Sequence, residues 1–338
     1  WMSARIGLNR TMQLGLLLHI GTLAMLLAPE TWLTVIWVMV AQAISGIAKD
    51  LNKMSAKSSI KSIARDQDAG LYRIVAFLTG SKNALKGAGF FIGAVLLSWL
   101  EFQGAIAVMV AMLSVVWLMS LLLLRQELGV MKAKPKFSQI FSKSEAVNRL
   151  SLARFFLFGA RDVWFVVALP VFLHEVLGWD FWQVGGYLAA WVMIYGMIQA
   201  AAPKLTGRSQ APDVVGRQLV VFSGCLALTP AAIGLALSYG LSPVFVVTVG
   251  LLIFALLFAM NSALHSFLIV RFARDEGASL DIGFYYMANA GGRLAGTVGS
   301  GALYQWMGLE ACLWVSAGLI AMASLAAMSL PKGEVGTA

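Results

Sequence analysis

Charge is scarce in this chain. Of 338 residues only 12% are charged, 16 acidic and 25 basic, while 59% are hydrophobic. A soluble domain carries roughly a quarter charged residues, so that class is excluded first. Cysteine is scarcer still: Cys225 and Cys312 each sit inside an apolar run. Two such residues build neither a disulfide framework nor a CxxC pair, and read as small buried hydrophobes. Catalytic signatures are missing as well. There is no HExxH, GxSxG or Walker lysine and no pair of catalytic carboxylates, so neither an enzyme nor an ATP-driven pump is expected. GAGFFIG (87–93) is one residue too long for a dinucleotide fingerprint and follows no strand, so no cofactor is called for.

What is present is long apolar sequence. Runs of about 17–25 residues mark helices that cross a bilayer. We read ten spans, at 11–28, 31–49, 71–100, 104–124, 150–173, 182–202, 218–238, 243–267, 282–304 and 310–330. The third is long enough to tilt or to begin as an interfacial segment. The expected fold class is an all-α, multi-pass membrane protein.

Sorting the cations gives a topology. One set of loops holds Arg5, Arg10, Lys49, Lys53, Lys57, Lys61, Arg65, Arg73, Arg125, Lys132, Lys134, Lys136, Lys143, Arg149, Lys204, Arg208, Arg217, Arg271, Arg274 and Lys332. The opposite loops hold only acids, such as Glu30, Glu101, Glu175, Asp180 and Glu310. By the positive-inside rule both visible termini face the cytoplasm. The same sorting explains most of the net charge of +9 without nucleic acid as a partner. Lys49, Lys53, Lys57 and Lys61 recur every four residues, as on a helical extension facing anionic lipid.

The stretch RQELGVMKAKPKFSQIFSKSEAVNR (125–149) divides the spans into 1–124 and 150–330, with a tail at 331–338. It reads as a cytoplasmic linker. Sliding the chain by 207 residues lays Lys86 on Arg293, Gly89 on Gly296, Gly93 on Ser300, Trp99 on Trp306 and Arg10 on Arg217. Such a repeat is the mark of a two-half transporter. Under this offset the fifth and sixth spans lack partners. We expect that about 60 residues and two helices precede Trp1, giving twelve spans in two six-helix halves.

Several strings carry a family resemblance. ARIGLNRTMQLG resembles the gating loop between helices two and three of the major facilitator superfamily, with Asn9 where that family usually has Asp. SGIAKDLNKMSAKSSIK, LTGSKNALKGAGFF, KPKFSQIFSKS and ARFFLFGARDVWFVVALPVFL resemble the organoarsenical efflux permeases of the ArsJ type. That resemblance implies a major facilitator fold in a bacterial inner membrane, a monomer, and export of 1-arseno-3-phosphoglycerate with arsenate resistance. It also implies a functional link to a glyceraldehyde-3-phosphate dehydrogenase, which makes that compound, and coupling to protons.

Five cations remain inside spans: Lys82, Lys86, Arg154, Arg161 and Arg293, against one clear acid, Asp162. A cation near the centre of a spanning helix costs about 2.5–3.5 kcal/mol or more, so each needs a partner or a wet cavity. One acid cannot neutralise five bases, and an anionic substrate is the economical partner. Lys82 and Lys86 share a face with spacing i, i+4, beside Asn83, and Arg154 and Arg161 share one at i, i+7. Tyr285, Asn289 and Arg293 form an i, i+4, i+8 stripe. In the expected cycle Lys82, Lys86 and Arg154 attract the anion, and Arg161 and Arg293 clamp it from opposite faces of a cavity. Each arginine has a bland alternative as well, an anchor or a structural ion pair, and each lysine can snorkel to headgroups.

Lys49 with Asp50, Asp162, His265, and the pair Arg10 and Arg217 are the candidates for gating or coupling. His19 and His174 are weaker signals. The glycine pairs Gly89/Gly93 and Gly292/Gly296 fit close helix approach. Trivalent arsenite would need several thiolates, which two separated cysteines do not offer. A channel is the remaining rival, and converging cations in a repeated fold suit a carrier better. Another phosphorylated metabolite or organic anion is the alternative cargo.

Overall fold

The computed structural model describes residues 3, 6–63, 68–124, 144–206, 211–274 and 278–331. Most of the 125–149 linker, Arg208 and the 332–338 tail lie outside the described residues. Among those described, the regular elements are all helical: α1 (Leu8–Met25), a 3-10 turn (Glu30–Trp32), α2 (Val35–Ile63), α3 (Asp68–Leu123), α4 (Glu145–Phe165), α5 (Ala168–Glu175), α6 (Phe181–Leu205), α7 (Pro212–Ser238), α8 (Pro243–Phe272) and α9 (Ala278–Met328). Local chemistry sets several ends. Ser144 caps α4 by accepting from Val147 N at 3.4 Å. Asp180 and Gln183 close a reciprocal capping box on α6. Pro212 and Pro243 open α7 and α8, where the missing N–H costs nothing.

Among the described residues six helices are long and apolar enough to cross a membrane: Leu71–Leu123, Glu145–Glu175, Phe181–Leu205, Asp213–Ser238, Pro243–Phe272 and Ala278–Met328. The spans expected at 11–28 and 31–49 are helical but not among these six. Arg10, Gln13 and His19 dilute α1, and Lys49, Asp50, Asn52 and Lys53 dilute α2. Two of the six are too long for one pass. At 1.5 Å per residue, 53 residues span about 80 Å, against about 30 Å of hydrocarbon. Each carries one non-helical residue, Glu101 (φ 55°, ψ −175°) and Gly308 (φ 73°, ψ −170°). These two breaks are 207 residues apart, the offset of the sequence repeat, and nearly identical in conformation.

That backbone region is open essentially to glycine alone, and a side chain there stores about 1–3 kcal/mol of strain. Gly308 meets no such penalty, but Glu101 does. Glu101→Gly should therefore raise stability by about 1 kcal/mol, read as a higher unfolding temperature in detergent.

The chain packs as two units that are not contiguous in sequence. Unit one contains α1, α2, the part of α3 from Gly89, and Arg274–Gly283. Within it α1 lies on α2: the Trp37 indole N–H donates to Met25 O at 2.8 Å. A Cβ on Gly15 would stand 2.6 Å from Asn52 Oδ1. Unit two contains α3 up to Ala88, α4 to α8, and α9 from Phe284. Its core holds Trp164, Trp191, Phe254 and Phe258, all essentially buried. Trp164 meets Trp191 and Phe254 edge to face at 5.8 and 5.0 Å, the arrangement the ring quadrupoles favour.

Small residues set two close helix contacts in unit two. Helix α4 runs beside α9, where a Cβ on Gly292 would stand 2.1 Å from Phe155 O and one on Gly296 would stand 2.5 Å from Gly159 O. The first part of α3 meets α6 in the same way: a Cβ on Gly80 would lie 2.3 Å from Ala200 N, and one on Gly196 would lie 2.2 Å from Ala84 N. The expectation of close approach holds for Gly292 and Gly296. It fails for Gly89 and Gly93, whose Cβ positions meet nothing within 4 Å.

Candidate functional site

Arg154, Phe158 and Arg161 lie along α4 at i, i+4 and i+7, and both guanidinium groups sit on the same phenyl ring. Arg154 Cζ is 3.8 Å from the Phe158 centroid and Arg161 Cζ is 4.8 Å from it. The two cations are thus at most 8.6 Å apart, the sum of those distances. The stripe Tyr285, Asn289 and Arg293 on α9 faces this row rung by rung, held in register by the Gly159, Gly292 and Gly296 contact.

On the first rung Arg154 is only 4% exposed. Its Nε donates to Asn289 Oδ1 at 3.0 Å and its Nη1 to Ser262 Oγ at 3.2 Å. The Tyr285 ring lies 5.3 Å from its Cζ. Every one of these partners is neutral. Ser262 is an overloaded acceptor: Tyr195 OH and Gln199 Nε2 also lie 3.1 Å from its hydroxyl. A hydroxyl oxygen has two lone pairs and one proton of its own, so three donors exceed what it can accept. Nearby the Tyr285 hydroxyl finds no hydrogen-bond partner among the described residues, and neither does His265 Nδ1. The Ser262 hydroxyl thus has more donors than lone pairs, and the cluster carries a buried positive charge whose partners are all neutral.

On the second rung the polarity balances better. Asp162 is fully buried. Its Oδ1 accepts from Arg161 Nε at 2.6 Å, and its Oδ2 from Arg293 Nε at 2.7 Å. Sequence reasoning placed Arg161 and Arg293 on opposite faces of a cavity; the structure joins them through this one carboxylate. A single charge cannot neutralise both, so the rung keeps a net charge of +1.

The other expected residues separate. Lys82 and Lys86 are on the exposed face of α3. Asn83, one residue on, turns instead to α6 and donates to Gln199 Oε1 at 2.7 Å. Since Gln199 also reaches Ser262, a hydrogen-bonded chain runs from α3 through α6 and α8 to Arg154. His265 is buried on α8 one turn from Ser262. Asp50 does not pair with Lys49. It binds Lys53 at 2.7 Å on an exposed face, an i, i+3 pair of the kind that contributes under about 1 kcal/mol. Lys57, expected to face lipid headgroups with Lys49 and Lys53, is buried at 5% exposure. Arg10 is exposed on α1, and the exposed Arg217 donates through Nε to the Asp213 carbonyl of its own helix, at 3.4 Å.

Sequence reasoning missed two features. Ser262, Tyr195 and Gln199 are uncharged and embedded in apolar runs, so nothing marked them out. Asp281 lay just outside the expected span, yet it is fully buried and accepts from Arg274 through N, Nε and Nη2, each at 3.0 Å. This fork raises the Arg274 pKa above its ordinary value through hydrogen bonding to Asp281. A raised value means the pair's contribution fades only as pH climbs past that of free arginine, so it is present throughout the physiological range.

Known proteins share this architecture. The human organic anion transporter MFSD10 (TETRAN) superposes with a TM-score of 0.77 at 17% identity, over 96% of this chain and 78% of that one. The E. coli fucose:proton symporter FucP gives 0.71 at 12% identity, over 98% and 86%. A bacterial homologue of the iron transporter ferroportin, in an outward-facing state, gives 0.71 at 13%, over 97% and 84%. No curated protein matches the chain. Identities this low speak to the fold alone. The family model described as Major Facilitator Superfamily, however, matches residues 1–297. With that match over most of its length, the chain belongs to the Major Facilitator Superfamily.

Proposed function

We propose that this protein is a secondary transporter that exports an organic anion by alternating access, with Arg154 as the principal binding cation. One observation carries the reading: Arg154 is buried and all its partners are neutral, and the Ser262 hydroxyl it binds has more donors than lone pairs. A buried unpaired charge is among the most costly features a protein can keep. An arriving oxyanion supplies the missing acceptors and the countercharge together, and the guanidinium fork matches a carboxylate or phosphate bidentately. The Arg161–Asp162–Arg293 rung, at net +1, offers a second grip for a substrate with two anionic ends. The likeness in fold to MFSD10, itself an organic anion transporter, is in keeping with this class of cargo.

The proposed cargo is 1-arseno-3-phosphoglycerate, on the strength of the strings that resemble organoarsenical permeases. The proposal includes arsenate resistance, a bacterial inner membrane, cytoplasmic termini, a monomer and a glyceraldehyde-3-phosphate dehydrogenase as supplier. In this reading the breaks at Glu101 and Gly308 let α3 and α9 each cross twice, as part of a two-half, twelve-helix architecture with the linker at 125–149. Export of a trianion from a cell with a negative interior gains about 2.3 kcal/mol per charge per 100 mV, so the flux is downhill even without proton coupling.

Uptake of labelled 1-arseno-3-phosphoglycerate into inside-out vesicles, competed by 3-phosphoglycerate, tests the cargo. Saturable uptake of the arsenical, with 3-phosphoglycerate competing as a weaker ligand of the same site, supports the arsenical; equal competition favours a general exporter of phosphorylated metabolites.

A further inference from the structure

We infer that Asp162 is a built-in counter-anion that the substrate must displace from Arg293, and that it thereby sets how tightly this transporter holds its cargo. The inference rests on the anion-export reading above and deepens it.

Its basis is an asymmetry around one carboxylate. Asp162 is wholly buried. Arg161, the adjacent residue on α4, holds Oδ1 through both Nε (2.6 Å) and Nη2 (2.5 Å), and its side chain is only 14% exposed. Arg293, from α9, holds Oδ2 through Nε at 2.7 Å, and its side chain is 44% exposed. One arginine is therefore a resident partner of the acid, and the other reaches it with a single nitrogen while the rest of its surface remains open.

The pair also meets the usual difficulty of removing Arg293 from its acid. Stripping a partner from a buried carboxylate ordinarily leaves an uncompensated charge, at a cost of about 3–5 kcal/mol. Here Arg161 stays on Oδ1, so Asp162 keeps a countercharge when Arg293 leaves. The exchange needs no proton and no new ion. Arg293 trades one oxyanion for another, while Arg161 and Arg154, both against the Phe158 ring, hold their places.

Internal competition of this kind lowers apparent affinity by the fraction of time the binding group is occupied. For an exporter this has a use, because cargo gripped by three uncompensated arginines would be slow to leave. Asp162 supplies the competing oxygen that returns Arg293 to rest as the anion departs.

The test uses the full chain in lipid nanodiscs and 3-phosphoglycerate as the probe. If Asp162 occupies Arg293 about nine-tenths of the time, Asp162→Asn should bind the probe about tenfold more tightly while net transport slows. A carboxylate that is only a structural brace predicts the reverse, with affinity unchanged or lost. Arg293→Ala should weaken binding, and adding Asp162→Asn to it should restore nothing. Should the Asn variant fail to fold, infrared difference spectra of the wild-type chain labelled with 13C-aspartate report the same event. The probe should shift a buried carboxylate band, and the shift should vanish in Arg293→Ala. Unchanged or weaker binding by a folded Asp162→Asn, or a silent carboxylate band, overturns the inference. If Arg154→Met still removes probe binding, the anion reading survives that failure. If neither the wild type nor any variant binds 3-phosphoglycerate, citrate or malate, it is the anion reading that falls.

Discussion

Arg154→Met is expected to reduce anion transport by about 100-fold or more and to leave the fold as stable as before, or slightly more so. Both halves follow from the same geometry. Charge-assisted hydrogen bonds to an oxyanion are each worth about 1.5–3 kcal/mol, and a bidentate contact makes two of them. Their loss corresponds to about two decades or more in affinity. In the folded chain, by contrast, Arg154 is a desolvated cation among neutral groups, and replacing buried charge with an apolar group of similar volume is often neutral or stabilising. Ser262 keeps Tyr195 and Gln199 as partners after the change. A purely structural arginine predicts the opposite pattern, with stability and transport falling together. Proteoliposome flux and thermal unfolding, measured on the same preparation, separate the two. Arg154→Lys should recover only part of the flux, because an ammonium lacks the fork.

Gly292→Ala is expected to cost about 3 kcal/mol or more. The added Cβ would stand 2.1 Å from Phe155 O, 2.8 Å from Phe155 C and 2.9 Å from its Cα. All three are backbone atoms, so no side chain can rotate away, and α9 must move off α4. That shift would break the register on which both rungs depend, Arg154 with Asn289 and Asp162 with Arg293. Loss of transport should therefore accompany loss of stability, which distinguishes this variant from Arg154→Met. Gly93→Ala is the control. With nothing within 4 Å of its Cβ, it should stabilise the helix by up to about 1 kcal/mol through propensity alone. Denaturation of the two variants in one detergent checks the contrast.

These glycines also show where sequence stops being informative. Gly89/Gly93 and Gly292/Gly296 have the same spacing in equally apolar surroundings, yet only the second pair meets a neighbouring backbone. Spacing defines a face, and what lies opposite is decided by the rest of the fold. The stripes were legible for the same reason that contacts were not. Arg154 with Arg161, and Tyr285 with Asn289 and Arg293, stand out because charge and polarity recur at helical intervals in apolar sequence. That the two stripes would face each other, and that Asp162 would join Arg161 to Arg293, depended on helix packing. Ser262, Tyr195 and Gln199 gave no signal, since a neutral polar residue in a spanning helix is as often a packing residue as a ligand. Lys57 misled through its periodicity: it recurs with the exposed Lys49, but α2 buries it. The breaks at Glu101 and Gly308 were partly visible, one as an acid between apolar runs, both as partners under the 207-residue offset.

The most direct test of the account is electrical and uses the wild-type chain. Proteoliposomes adsorbed to a sensor membrane should give a saturable transient current when 3-phosphoglycerate is added, none with uncharged glycerol, and none from Arg154→Met with either solute. Currents of equal size from the wild type and Arg154→Met, or discrete single-channel steps, would contradict an anion carrier built on that buried guanidinium.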